Sequence, residues 1–237
     1  MFTGRYREAQ DETEVISGRI RNDRVREVAK MARTVAIGIQ NYSEIIEKNL
    51  FYIDKTGFIK EWWENGDSVT LITRPRRFGK SLNMSMVEQF FSVNYAGRGD
   101  LFEGLSIWQE EKYRELQGTY PVISLSFANV KEKNYETTSY RIRQFLMKKY
   151  EENSFLLQCG KLSEDEKTYF RQMKSDMSEK DAPLALYNLS DFLFRHYGKK
   201  VIILLDEYDT PMQEAYVDGF WEELAAFTRG LFNSTFK

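Results

Sequence analysis

An α/β fold is the prediction, and three observations carry it. Short β-rich runs at 68–73 (SVTLIT), 121–128 (PVISLSFA) and 201–206 (VIILLD) are separated by longer stretches with helical periodicity. The last run is apolar on consecutive positions, the pattern of a parallel strand covered on both faces. In a chain of 237 residues, 42% apolar and 15% aromatic, there is enough apolar surface for one substantial core.

The elements follow in order. Residues 1–33 carry Arg5, Arg7, Arg19, Arg21, Arg24, Arg26, Lys30 and Arg33 among six acidic residues and few apolar ones, so they bury little surface. They read as a charged N-terminal extension, either a docking arm or, as we prefer, a leader without a role. The main domain is expected over 34–237. Asp54 precedes Phe58, Ile59, Trp62 and Trp63, which reads as an N-capped short helix. The run at 68–73 is expected to be a strand. Leu82, Met86 and Phe90, joined by Val87 and Phe91, line one face of a helix. The run at 121–128 is the second strand. Helices are expected near 134–151, 163–178 and 184–197, the last stopped by Gly198. The strand at 201–206 and a single final helix marked by Phe220, Leu224, Phe227 and Leu231 complete the chain.

Several function classes are excluded. Cys159 is the only cysteine and His196 the only histidine, so disulfide frameworks, cysteine-rich zinc sites and multi-histidine centres are out. Lys plus Arg number 34 against 36 Asp plus Glu, a net charge of -2, which does not suit a general polyanion binder but leaves local basic patches open. The longest aliphatic run, from Val201 to Leu205, is too short to cross a bilayer. The charged N-terminus lacks an apolar signal core, so the cytoplasm is the expected location.

The chemistry centres on Arg74-Pro75-Arg76-Arg77-Phe78-Gly79-Lys80-Ser81-Leu82, between a predicted strand and a predicted helix. This is the context of a phosphate-binding loop, G-x-x-x-x-G-K-[ST], in which turned backbone N–H groups and the positive end of the following helix face phosphate. Gly79 lets the backbone approach closely, Lys80 is suited to the β- and γ-phosphates, and the Ser81 hydroxyl to Mg²⁺. Arg76 and Arg77 stand beside the loop, where each either contacts the γ-phosphate or pairs with a carboxylate. Arg74 occupies the place of the motif's first glycine. A Gly-Lys-Ser tripeptide arises by chance in roughly one chain in ten of this length, so a second feature is needed.

That feature is the strand 201–205 followed by Asp206 and Glu207. Alone, the acidic pair ends a strand and begins a turn with Asp209 and Pro211. Beside a phosphate loop it has a second meaning. Asp206 would hold Mg²⁺, directly or through water, and Glu207 would accept the proton of the attacking water. Both would sit just outside the carboxyl end of a strand, where α/β sheets bind ligands.

The stretches Ile37-Gly38-Ile39-Gln40, Phe51-Tyr52-Ile53-Asp54-Lys55-Thr56, Leu71 through Ser81, and Leu205-Asp206-Glu207-Tyr208-Asp209-Thr210-Pro211 resemble the bacterial AAA-ATPase-like family, from about Ala36 onward. The resemblance implies a P-loop NTPase three-layer sandwich with a mostly parallel sheet. It implies ATP rather than GTP as nucleotide, held by Arg76, Arg77, Phe78, Gly79, Lys80, Ser81 and Leu82. Mg²⁺ would lie at Ser81 and Asp206, with Lys80 and Glu207 as catalytic groups. Arg74 in place of glycine is usual in that family. It also implies kinship with archaeal-type ATPases. Asp54 and Lys55 match a family motif of unassigned role; from the residues themselves we read a helix cap beside an exposed lysine.

Family members of full length continue past the position of Lys237 with further ATPase strands and often a nuclease-like domain. The expectation is therefore a C-terminally truncated member, with either an unfilled slot in the sheet or direct pairing of the 68–73 and 201–206 strands. The leading reading is Mg²⁺-dependent ATP binding and hydrolysis. A non-catalytic nucleotide-binding or regulatory module is the alternative. A nucleic-acid-associated protein using Arg74, Arg76, Arg77 and the N-terminal arginines is weaker, since net charge does not indicate it. A small-molecule kinase is weakest, as no lid or acceptor site is recognisable.

Overall fold

The chain forms nine helices and two strands over the residues that the structure, a computed structural model, describes: 34, 35, 37–73 and 78–235. The charged extension 1–33 and the arginines Arg74, Arg76 and Arg77 lie outside the described residues. In chain order the elements are α1 (Tyr42–Glu47), α2 (Gly57–Asn65), α3 (Lys80–Phe91), α4 (Glu111–Arg114), β1 (Val122–Ser126), α5 (Tyr135–Glu152), α6 (Glu164–Ser175), α7 (Ala182–Tyr197), β2 (Ile202–Asp206), α8 (Thr210–Asp218) and α9 (Trp221–Thr235). Short 3₁₀ turns intervene, among them Ser106–Gln109.

The chain divides into two units. The smaller takes in Glu44–Ile53 and the described residues before Gln40. In it Val35 and Phe51 form an isolated parallel bridge, and the Phe51 amide donates to Thr34 O at 2.8 Å. The larger holds Gln40–Ser43 and Asp54–Lys237 and contains the sheet.

The sheet has two parallel strands in register from Val122↔Ile202 to Ser126↔Asp206. Side chains alternate across a strand, so Ile123 and Leu125 share one face while Ser124 and Ser126 share the other. Ile123 and Leu125 join Phe127 in a core built from α5, α6, α7 and α9, where Ile142, Leu146, Phe170, Leu189, Leu224 and Leu231 are buried. Ile203 and Leu205 of β2 pack on this core, and Leu204 is buried outside it, towards the opposite face. α3 packs against both strands.

Local chemistry explains the helices. Asn134 caps α5 by accepting the Thr137 amide at 2.9 Å, and Ser163 with Glu166 forms a capping box on α6. Gly198 ends α7 in the left-handed conformation, φ 67°, as expected for a C-terminal glycine. The helices near 134–151, 163–178 and 184–197, and the strands within 121–128 and 201–206, form within a few residues of the sequence expectation.

Four expectations are corrected. Residues 68–73 form no strand: a strand needs a ladder partner, β1 and β2 pair with each other, and Val69 and Leu71 are 65% and 62% exposed. Consequently the strand ending in Asp206 pairs with the 121–128 strand and not with the 68–73 run. Two helices follow Asp206 instead of one, because Thr210-Pro211 opens a helix that Gly219 stops at φ 84°. Finally, β2 is covered less completely than a central parallel strand: only Leu204 is buried, the others half-buried.

Candidate functional site

α3 opens at Lys80, directly after Gly79, whose φ of 75° places it in the left-handed region that favours glycine. Phe78 is exposed, and Gly79, Lys80, Ser81 and Leu82 are half-buried. The inner face of the helix is mostly apolar: Met86, Val87, Phe90 and Phe91 are all buried, and the polar Asn83 and Gln89 are buried with them. Trp62 and Trp63 of α2 clasp Phe91, with ring centroids 5.5 and 5.3 Å away, and Trp63 also meets Tyr120 at 5.2 Å.

Two contacts set the direction of α3 along the sheet. Ser92, one residue past its end, bridges Tyr120, just before β1 begins. One turn earlier, the Glu88 carboxyl lies beside the Ser124 side chain in the middle of β1. α3 therefore runs antiparallel to the strands. Its 12 residues span about 18 Å at ~1.5 Å each, close to the roughly 16 Å of a five-residue strand. The end carrying Lys80 and Ser81 thus lies towards the carboxyl ends of β1 and β2. Glu88 itself is pushed up by burial, against the lowering influence of Lys149 and Ser124.

Asp206 and Glu207 stand at that same end. By strand alternation Asp206 belongs with Leu204 on the α3 face, opposite Ser126 across the ladder. The turn is tightly held. The Asp206 carbonyl accepts the Phe127 amide at 2.9 Å, Asp206 Oδ1 accepts the Glu207 amide at 3.1 Å, and Glu207 O accepts the Thr210 amide at 3.0 Å. Glu207 sits at φ 48°, one of two described non-glycine residues with positive φ; the other is Asn49. Asparagine tolerates that region, whereas glutamate has no such preference, so Glu207 marks local strain. Among the described residues its carboxylate receives a long hydrogen bond from Thr210 Oγ1, 3.4 Å.

At this end the chain offers a helix N-terminus with a lysine and a hydroxyl and, at the carboxyl end of β2, two consecutive carboxylates. Such an arrangement suits an anion and a hard cation together. A hydroxyl and one carboxylate suit Mg²⁺, which keeps several waters and takes further oxygens from bound phosphates. Among the described residues no group of three or more His, Cys, Asp or Glu is placed to hold a metal ion by protein ligands alone.

Comparison with known sequences bears on this geometry. A family model described as a predicted AAA-ATPase matches residues 36–237. The chain belongs to this AAA-ATPase-like family. Among curated proteins it is similar to an uncharacterized protein in the vnfD 5′ region of Azotobacter chroococcum mcd 1, 28% identical over 181 residues. That match covers 76% of this chain and 30% of the relative, so the chain spans less than a third of that protein's length. No solved structure matches. No helix among the described residues of this AAA-ATPase-like chain is long and apolar enough to cross a membrane.

Asp54 is not a helix cap. The N-cap of α2 is Thr56, and Asp54 lies two residues before it. Its Oδ1 accepts the Thr56 amide and hydroxyl at 2.8 and 2.7 Å, and its Oδ2 accepts the Ser106 amide at 2.8 Å. Burial pushes this carboxyl up, but the hydrogen bonds from Thr56 and Ser106 outweigh it and hold the group below its ordinary value. Thr56 is wholly buried, its hydroxyl 2.9 Å from Ser106 Oγ. Ser106 is 50 residues away, so no local sequence signal could have disclosed this partner. Sequence reasoning also missed Ser124 and Ser126, whose alternation with Ile123 and Leu125 is the one signal that sets them on the α3 face.

Proposed function

We propose that the chain is a nucleotide-binding module that takes ATP with Mg²⁺ at the 74–82 loop and hydrolyses it. The observation supporting this most directly is the polarity of α3. A helix antiparallel to the strands it covers brings its positive end to the carboxyl edge of the sheet, on the face that carries Asp206. Membership of a predicted AAA-ATPase family supports ATP as the nucleotide.

In this reading the backbone N–H groups around Gly79 and the N-terminus of α3 bind the phosphates, and Lys80 contacts the β- and γ-phosphates. Ser81 and Asp206 hold Mg²⁺, which supplies charge neutralisation on the phosphate oxygens. Glu207 orients water and takes its proton. Arg76 and Arg77 add positive charge to the loop. The fold in this reading is a P-loop sandwich, and the resemblance suggests a nuclease-like domain as a neighbour in longer family members.

The test is ATP binding by calorimetry together with phosphate release. Wild type is expected to bind ATP with Mg²⁺, Lys80→Ala to lose binding at least tenfold, and Glu207→Gln to bind while releasing phosphate at least tenfold more slowly. Full binding by Lys80→Ala would remove the site assignment.

A second reading, binding without turnover, is favoured by one observation: the 68–73 run leading into the loop is unpaired and its Val69 and Leu71 are exposed. Hydrolysis needs charges held in place from several elements. This reading expects ATP binding with no phosphate release above background.

A further inference from the structure

Lys55 lies far in sequence from the phosphate loop, yet its ammonium reaches it. A Cβ built on Gly79 would lie 3.3 Å from Lys55 Nζ. The lysine thus comes to rest against the backbone of the loop at the residue immediately before Lys80. Glycine is favoured there by its φ of 75°, and a side chain at this position would displace the ammonium by a few tenths of an ångström.

The placement is built. Lys55 is flanked by Asp54 and Thr56, the two residues that tie this segment to Ser106–Gln109. Asp54 accepts from Thr56 and Ser106, and the buried Thr56 hydroxyl accepts the Ile107 amide at 3.2 Å. The Phe58 amide donates to Lys55 O at 3.0 Å, which anchors the lysine's own backbone to the start of α2. Asp54 is therefore engaged with hydroxyl and amide donors, and the lysine beside it is directed to Gly79.

The electrostatics point to an anion. Cations are favoured at helix C-termini, and here Lys55 and Lys80 both stand at the positive end of α3. A bound polyphosphate would bring negative oxygens to both ammonium groups together with the helix N–H groups. We infer that Lys55 is a second phosphate-contacting lysine of the nucleotide site, aimed at the loop by the Asp54–Thr56–Ser106 clasp. The inference rests on the nucleotide-binding reading above and adds to it a contact from outside the loop and the strand.

The experiment measures ATP–Mg²⁺ and adenosine binding by calorimetry for the 237-residue chain, Lys55→Met, Lys55→Arg and Lys80→Ala, with thermal unfolding as the control for folding. In parallel, acylation of lysines in the wild-type chain is followed by mass spectrometry with and without ATP–Mg²⁺. Lys55→Met is expected to lose at least tenfold in ATP affinity at an unchanged unfolding midpoint, with Lys55→Arg restoring most of it. ATP is expected to slow acylation of Lys55 several-fold while Lys112, on the exposed face of α4, is unaffected. Should Lys80→Ala lose ATP while Lys55→Met binds as wild type and Lys55 is not protected, the role given to Lys55 is overturned and the site stands. Failure of the wild-type chain to bind ATP overturns both. Because the acylation measurement needs no variant, misfolding of Lys55→Met leaves the inference open to refutation.

Discussion

Replacing Glu207 by glycine separates stability from chemistry at one residue. Glu207 holds φ 48°, a conformation that costs a non-glycine residue roughly 1–2 kcal/mol. Glycine removes that cost but gains about 0.5–1 kcal/mol of conformational freedom in the unfolded chain. The Thr210 hydrogen bond lost with the side chain is 3.4 Å long, at the outer limit of useful geometry, and subtracts little. The net expectation is stabilisation by ~0.5–1 kcal/mol. For a domain of this size that raises the thermal midpoint by about 1–4 °C. Glu207→Gln retains the Cβ and should melt within about 1 °C of wild type. Thermal and urea unfolding followed by circular dichroism measure the first effect, and phosphate release from ATP measures the second. Both variants are expected to release phosphate at least tenfold more slowly. A glycine variant melting below wild type would refute the strain argument, and one turning over at the wild-type rate would refute the role of Glu207 in proton transfer.

Three further outcomes are expected. Gly118→Ala should destabilise by roughly 2–4 kcal/mol in urea unfolding, since its φ is 68° and a Cβ there would lie 2.5 Å from Ala96 Cα, which cannot retreat as a side chain would. Tyr150→Phe should cost about 1 kcal/mol, because the buried Tyr150 hydroxyl donates to Ala185 O at 2.8 Å; an equally stable variant would show that the bond contributes nothing net. Asp54, whose carboxyl is held below its ordinary value, contributes stability that is full above about pH 5 and is lost as pH falls through 4 and below. Urea midpoints measured at neutral pH and near pH 3 should therefore differ less for Asp54→Asn than for wild type, and an equal difference would remove the hydrogen-bonded carboxylate as its cause.

Much of the architecture was legible because it rests on local rules. The four-residue spacing of Leu82, Met86 and Phe90, the Asn134 and Ser163 caps, and Gly198 each act within one or two helical turns, so the sequence discloses them directly. The apolar run ending in Asp206-Glu207 was recognisable as a strand for the same reason. The 68–73 run misled because β propensity describes a residue's fit to a pleated surface, whereas a strand exists only where a partner supplies hydrogen bonds. The loop glycine and its neighbours were visible as a motif, but the lysine that reaches Gly79 was not, because Lys55 arrives through a 24-residue separation.

By itself the amino-acid order determined the kind of protein: the family, the helix faces, the Gly79-Lys80-Ser81 motif and the acidic strand end, all carried by contiguous residues. Only the tertiary structure decided that β2 pairs with β1, that α3 runs against both strands, and that Asp54 clasps Ser106 instead of capping a helix. Those outcomes depend on which distant surfaces and hydrogen-bonding groups find one another once the chain is compact, and no local periodicity encodes that choice.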